Sequence, residues 1–246
     1  MSLRLLLCDL DGTLTPTAQI DEACFTMALA QEFGHRMEAT DWSSYPEQSD
    51  CGLSRRILND ALGREPGADE IHRLQYRFLS LLEQARCSNP ELFQANAGVF
   101  RLLELLRNRS DWKVGIVSAG WCSASRLKLR WAGLEELGLP LFCPREGTPT
   151  SALPESKRSI LERARASLIA GEPKQSTAIY VGDNLWDARI ALQCGLHFLG
   201  HGQGEHRERL QAAGAVAVLK DFVDSAEILR LLDELCSSSS RTAALD

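Results

Sequence analysis

Lysine is the scarce residue in this sequence. Of the 27 basic residues only five are lysines (Lys113, Lys128, Lys157, Lys174 and Lys220), and none falls between positions 16 and 95. That stretch therefore lacks an amine for Schiff-base chemistry. Long apolar runs are missing too. No segment approaches the roughly 20 residues needed to cross a bilayer. The start, MSLRLLLCDLDG, offers only three consecutive leucines, too few for a secretory leader. Excess positive charge is absent: a net charge of −6 argues against nucleic acid or an anionic membrane as partner, because surfaces for either are basic. The eight cysteines show no CxxC pair and no zinc-like spacing. They are expected to be reduced, partly buried thiols of a cytoplasmic protein. GHGQG, 200 to 204, lacks the third glycine and the helix-opening context of a dinucleotide-binding turn.

What is present is an alternation. Short apolar runs at Leu3–Leu7, Val114–Val117 and Ala178–Val181, with weaker ones at Leu141–Phe142, His197–Leu199 and Val216–Leu219, read as buried strands. Helical patterns lie between most of them, at 99–106, 125–134, 160–169 and 187–193. Strand and helix in alternation predict an α/β fold: a parallel sheet with helices on both faces. Residues 16–95 interrupt this order with three helical patterns and no strand. They have the size of a helical module inserted after the first strand. The predicted organisation is a core of 1–15 and 96–235, a helical insert of 16–95, and a serine-rich tail, 236–246, expected to be disordered.

In parallel sheets ligands bind beyond the carboxyl ends of the strands, and three predicted strand ends carry polar residues. The first ends in CDLDGTLT. Asp9 and Asp11 are two apart on an extended chain, so both carboxylates can face one reaction centre, one as nucleophile and the other as general acid/base. Gly12 allows a sharp turn, and Thr13 can fix the loop. The second ends in VSAG. Ser118, with the backbone of Ala119 and Gly120, can cradle an anion at a strand-to-helix turn. Another ends in GDNLWD. Asp183 and Asp187 are four apart and share a helix face. With Asp9 they can form an oxygen-rich site for a hard cation such as Mg2+. Lys157 opens a helix after a Pro-rich loop, where its amine can reach a strand-end site.

Taken in this order, DLDGT, the serine of VSAG, Lys157 and GDNLWD resemble the four motifs of the haloacid dehalogenase superfamily, over nearly the whole chain. Arg158 stands where the family often has proline. The insert is similar to the cap of the phosphoglycolate phosphatase-like branch. The resemblance implies a Rossmann-like core, a cap that closes over the site, and Mg2+ as cofactor. It implies Asp9 as nucleophile, forming an aspartyl phosphate, and Asp11 as acid and then base. It further implies a metal held by Asp9, the carbonyl of Asp11 and Asp183, with Asp187 supporting, and a phosphoryl group held by Ser118 and Lys157.

Dehalogenases of the superfamily lack an aspartate at the position of Asp11, because a halide needs no proton. Its presence favours an oxygen leaving group. Arg55 and Arg56, in GLSRR, lie where related caps select substrate, and arginine binds anions in a bidentate way. They are the expected contacts to an anionic leaving portion. The resulting expectation is a phosphatase of a small phosphorylated metabolite, phosphoglycolate-like or a sugar phosphate. A sugar phosphomutase shares every motif, and a catalytically silent binding protein shares the fold.

Overall fold

Leucines 5, 6 and 7 cannot lie on a half-exposed strand, where alternate residues meet water. Each is at most 1% exposed, because this strand, β1 (Leu3–Asp9), runs through the middle of a sheet covered on both faces. The computed structural model describes residues 3–37, 42, 45, 49–145, 154–171 and 176–242, with side chains through 237. The other strands are β2 (Trp112–Val117), β3 (Leu141–Phe142), β4 (Ser176–Gly182), β5 (His197–His201) and β6 (Ala217–Leu219). All pair in parallel, in the order β3-β2-β1-β4-β5-β6. The strand order reverses beside β1, between β2 and β4. That is the switch point where such sheets open a crevice for a ligand.

Alternation along β1 divides the core. Leu6 and Cys8 join one apolar cluster, with α4 (Val99–Arg107), α5 (Cys122–Trp131) and α9 (Ser225–Thr242). Leu3, Leu5 and Leu7 join the other, with α6 (Lys157–Leu168), α7 (Leu185–Gln193) and α8 (Gly204–Ala212). Burying one such leucine contributes about 1.5–3 kcal/mol, so β1 anchors both layers. The serine-rich tail does not begin as disordered chain at residue 236. Ile228, Leu232 and Cys236, spaced four apart, seat α9 on the core, and the helix continues through Thr242. Once nucleated, a helix propagates at little cost.

Between β1 and β2 the chain forms α1 (Ala18–Phe33), α2 (Asp50–Leu62) and α3 (Ala68–Ser88) around a third apolar cluster. Trp121 and Ala124, from the loop after β2 and from α5, complete that cluster. Trp121 is 1% exposed and packs on Phe78 at 5.3 Å and Phe25 at 5.8 Å. The insert is thus fastened to the end of β2, beside the crevice. Among the described residues no helix is long and apolar enough to cross a membrane.

One cysteine pair departs from the thiol expectation. Cys122 opens α5 and Cys143 follows β3, and the structure joins them in a disulfide with Cα atoms 5.3 Å apart. The pairing arises because β2 and β3 are neighbours, so the residues just beyond their carboxyl ends meet.

Candidate active site

A cavity of about 230 Å³ lies beyond the carboxyl ends of β1, β2 and β4, and the helical insert covers it. Asp9, Asp11, Ser118, Ala119, Gly120, Lys157, Asp183 and Asp187 all line it. The sheet brings them together because each follows or begins at a strand end or a helix start on one edge.

Asp9 is the last residue of β1 and is 5% exposed. Burial pushes its carboxyl well above the ordinary range; the ammonium of Lys157 opposes this, while the charges of Asp187 and Asp183 add to it. Lys157, the first residue of α6, sits with Nζ 2.7 Å from Asp9 Oδ1 and 2.7 Å from Asp187 Oδ1. Burial alone would lower its pKa, but the carboxylates of Asp187 and Asp9 outweigh burial and raise it. The lysine is therefore a fixed cation, held by two buried acids.

Asp187 is fully buried and is spent on structure. Its Oδ1 accepts from Lys157 and, at 3.2 Å, from the Tyr180 hydroxyl; its Oδ2 accepts from the Asn184 amide at 3.1 Å. Asp183 accepts from Thr13 Oγ1 at 2.9 Å. Burial, and then the charge of Asp187, push Asp183 up to about 7. Oxygen atoms of Asp9, Asp183 and Asp187 lie within 4.8 Å of one another. Three carboxylates share one lysine, an excess of negative charge that fits a hard divalent cation taking oxygen ligands.

The turn after β1 is built for close approach. Gly12 has φ +87°, and a β-carbon there would overlap the carboxylate of Asp183. Two histidines brace this region from behind. His201 donates Nδ1–H to the Gly12 carbonyl at 3.0 Å and stacks on Phe222. His206 donates Nε2–H to the Asp183 carbonyl at 2.6 Å. At the end of β2, the Ser118 hydroxyl accepts from the Gly120 amide at 3.1 Å and from the Ser125 hydroxyl at 2.9 Å. Both acceptor positions are filled, so its own proton is left to donate into the cavity.

Asp11 is held by residues that its motif does not announce. Lys128, fully buried in α5, donates to Asp11 Oδ1 at 2.6 Å and also to Asp21 of α1. Thr17 donates to the same Asp11 oxygen at 2.5 Å. Burial pushes Asp21 up to about 6, against the pull of Lys128. Asp50, at the start of α2, clasps the loop after β2: its amide donates to the Ala119 carbonyl at 3.0 Å, and its Oδ2 accepts from the Trp121 amide at 2.9 Å.

Arg55 and Arg56 are not brought into the cavity. Helix α2 turns Asp50 and Leu53 toward it instead, and Arg56 pairs with Asp60 on the exposed helix surface at 3.1 Å. Lys128, Asp21, Asp50, His201 and His206 are the residues that motif reading passes over. The available signal for two of them was periodicity. Lys128 falls in the buried stripe of α5 with Ala124, Ser125 and Leu129. Asp21 precedes the buried Cys24 and Phe25 of α1 by three and four residues.

A family model described as a hydrolase, haloacid dehalogenase-like, matches residues 3–195. A phosphoglycolate phosphatase of Cereibacter sphaeroides is 28% identical over 190 residues, spanning 77% of this chain and 81% of that one. Among solved structures, a hydrolase from Pseudomonas syringae superposes with a TM-score of 0.66 at 22% identity, covering 95% of this chain and 99% of its own. A HAD hydrolase of family IA, variant 3, from Entamoeba histolytica gives 0.68 at 15% identity, covering 96% and 100%. The two structural likenesses show the fold, and the family match spans the strand ends that build the cavity. The chain belongs to the haloacid dehalogenase-like hydrolases.

Proposed function

We propose that this chain is a magnesium-dependent phosphatase of a small phosphorylated metabolite, with residues 16–95 as the cap over its site. The observation that carries this reading is the meeting of Asp9, Asp11, Ser118, Lys157, Asp183 and Asp187 at one sheet edge. The Cereibacter sphaeroides relative, named a phosphoglycolate phosphatase, supports the reaction class.

In this reading an Asp9 oxygen attacks phosphorus, an Asp9–phosphorus bond forms, and the bond to the leaving oxygen breaks. Asp11 donates its proton to that oxygen. It then takes a proton from water, whose oxygen attacks phosphorus, releasing inorganic phosphate and restoring Asp9. Lys128 and Thr17 fix Asp11 by Oδ1, so proton exchange falls to Oδ2. Ser118 donates to the transferring group, and Lys157 faces its charge as a permanent cation. Asp9, Asp183 and the carbonyl of Asp11 would hold Mg2+, with Asp187 orienting the set through Lys157 and the Asn184 amide. When bound, the ion neutralises charge on the phosphoryl group and on the crowded carboxylates.

The experiment is phosphate release from a panel of small phosphate esters, with and without magnesium, for wild type and Asp9→Asn. Release that needs magnesium and is lost in the variant supports the reading. Release confined to a sugar bisphosphate primer, with the phosphate returned to sugar, replaces it with a mutase. No turnover of any ester removes the enzymatic reading.

A further inference from the structure

The leaving-group end of the cavity has a character that the family match does not assign. The cap lines the cavity with Gln19, Asp21, Glu22, Phe25, Trp42 and Asp50. Three of these six carry carboxyl groups, and none is basic. Phe25 and Trp42 meet edge to face at 5.8 Å and form an apolar wall. Among the described residues, Lys157 is the only basic side chain lining the cavity, and two acids hold it at the phosphate end. Lys128 is fully buried behind Asp11 and Asp21. The stretches beside Trp42 that lie outside the described residues, 38–41, 43–44 and 46–48, contain no lysine, arginine or histidine in the sequence.

We propose that the substrate's leaving alcohol carries no negative charge and offers hydrogen-bond donors, hydroxyl or ammonium, to the carboxyl groups of Asp21, Glu22 and Asp50. This rests on the phosphatase reading and narrows it, against an acid such as glycolate as the leaving group. A carboxylate placed among these groups meets the carboxyl groups of Asp21 and Glu22 and no basic side chain, and a charge held from water without a counter-ion is costly enough to reject a ligand. A hydroxyl or an ammonium is accepted by the same oxygens, and carbon-bound faces rest on Phe25 and Trp42.

Three esters of equal chain length separate the possibilities: 2-phosphoglycolate, 2-hydroxyethyl phosphate and phosphoethanolamine, ending in carboxylate, hydroxyl and ammonium. The intact protein with magnesium should turn over the hydroxyl or ammonium ester with kcat/KM at least about 100-fold above that for phosphoglycolate, the scale of a like-charge clash. Glu22→Arg, at an exposed cap position, should narrow that gap by raising phosphoglycolate turnover. Phosphoglycolate turned over as well as or better than the other two overturns the inference and leaves the phosphatase reading standing. No phosphate from any of the three, or from the wider panel, overturns both.

Discussion

Replacing Lys128 with methionine tests the least announced part of the site. The side chain is fully buried, and its ammonium serves two carboxylates, Asp11 at 2.6 Å and Asp21. Removing one member of a buried ion pair costs about 3–5 kcal/mol, because the partner charge is left uncompensated. Here the partners keep 19% and 18% of their side-chain surface exposed, and Asp21 can take up a proton. The lower end, about 3 kcal/mol, is therefore expected. For a chain of this size that corresponds to a fall in Tm of about 6–12 °C. The pH dependence has a definite sign. Losing the ammonium removes the charge that holds the Asp21 carboxyl down, so Asp21 in the variant's native form keeps its proton to higher pH than in the wild type. The stability gap should widen as pH rises through about 6, the value for Asp21, and close toward acid. Adding Asp21→Asn should restore part of the loss by removing one stranded acid. Thermal scans of the three proteins between acid and neutral pH supply the measurement. A Lys128→Met protein with the wild-type Tm across that range would show that the ammonium compensates neither acid.

Two further outcomes follow from local geometry. Gly12→Ala places a β-carbon against the Asp183 carboxylate at φ +87°. The backbone cost is about 1–2 kcal/mol, while displacing Asp183 should lower kcat by about 100-fold, as ångström-scale misplacement does; a stopped phosphate-release assay beside a melting curve checks both, and undiminished kcat contradicts the close approach. Reducing Cys122–Cys143, which are separated by 21 positions, should cost about 3 kcal/mol on the chain-entropy model. A dithiothreitol-treated sample that melts at the untreated temperature, with both thiols already alkylatable beforehand, would show that the pair is reduced in solution.

The sheet was legible because its strands are buried on both faces. Runs such as Leu5–Leu7 and Ala178–Val181 therefore read as continuous apolar segments rather than alternations. The strand-end acids were legible for a related reason: a carboxylate directly after such a run has nowhere to go except the carboxyl edge. What escaped is what depends on helix rotation and on contacts across the chain. A lysine inside an amphipathic helix looks solvated until its neighbours Ala124 and Leu129 are known to be buried. Arg55 and Arg56 sat in a suggestive motif, yet the rotation of α2 turned Asp50 to the cavity instead. His201 lies within the glycine-rich stretch 200–204 and His206 just after it, where no motif marks them, although β5 and α8 carry them to the backs of Gly12 and Asp183. The serine run suggested a loose tail, but the apolar spacing just before it set the helix going.

In the proposed mechanism Asp9, and not water, first takes the phosphoryl group. The most direct test is to mix Asp11→Asn protein and magnesium with a phosphate ester labelled on phosphorus, quench in acid, and locate the label by peptide mapping. Label is expected on the peptide carrying Asp9, and none when Asp9 is also changed to Asn. Wild-type turnover with no label on Asp9 at any quench time, in wild type or in Asp11→Asn, would contradict it.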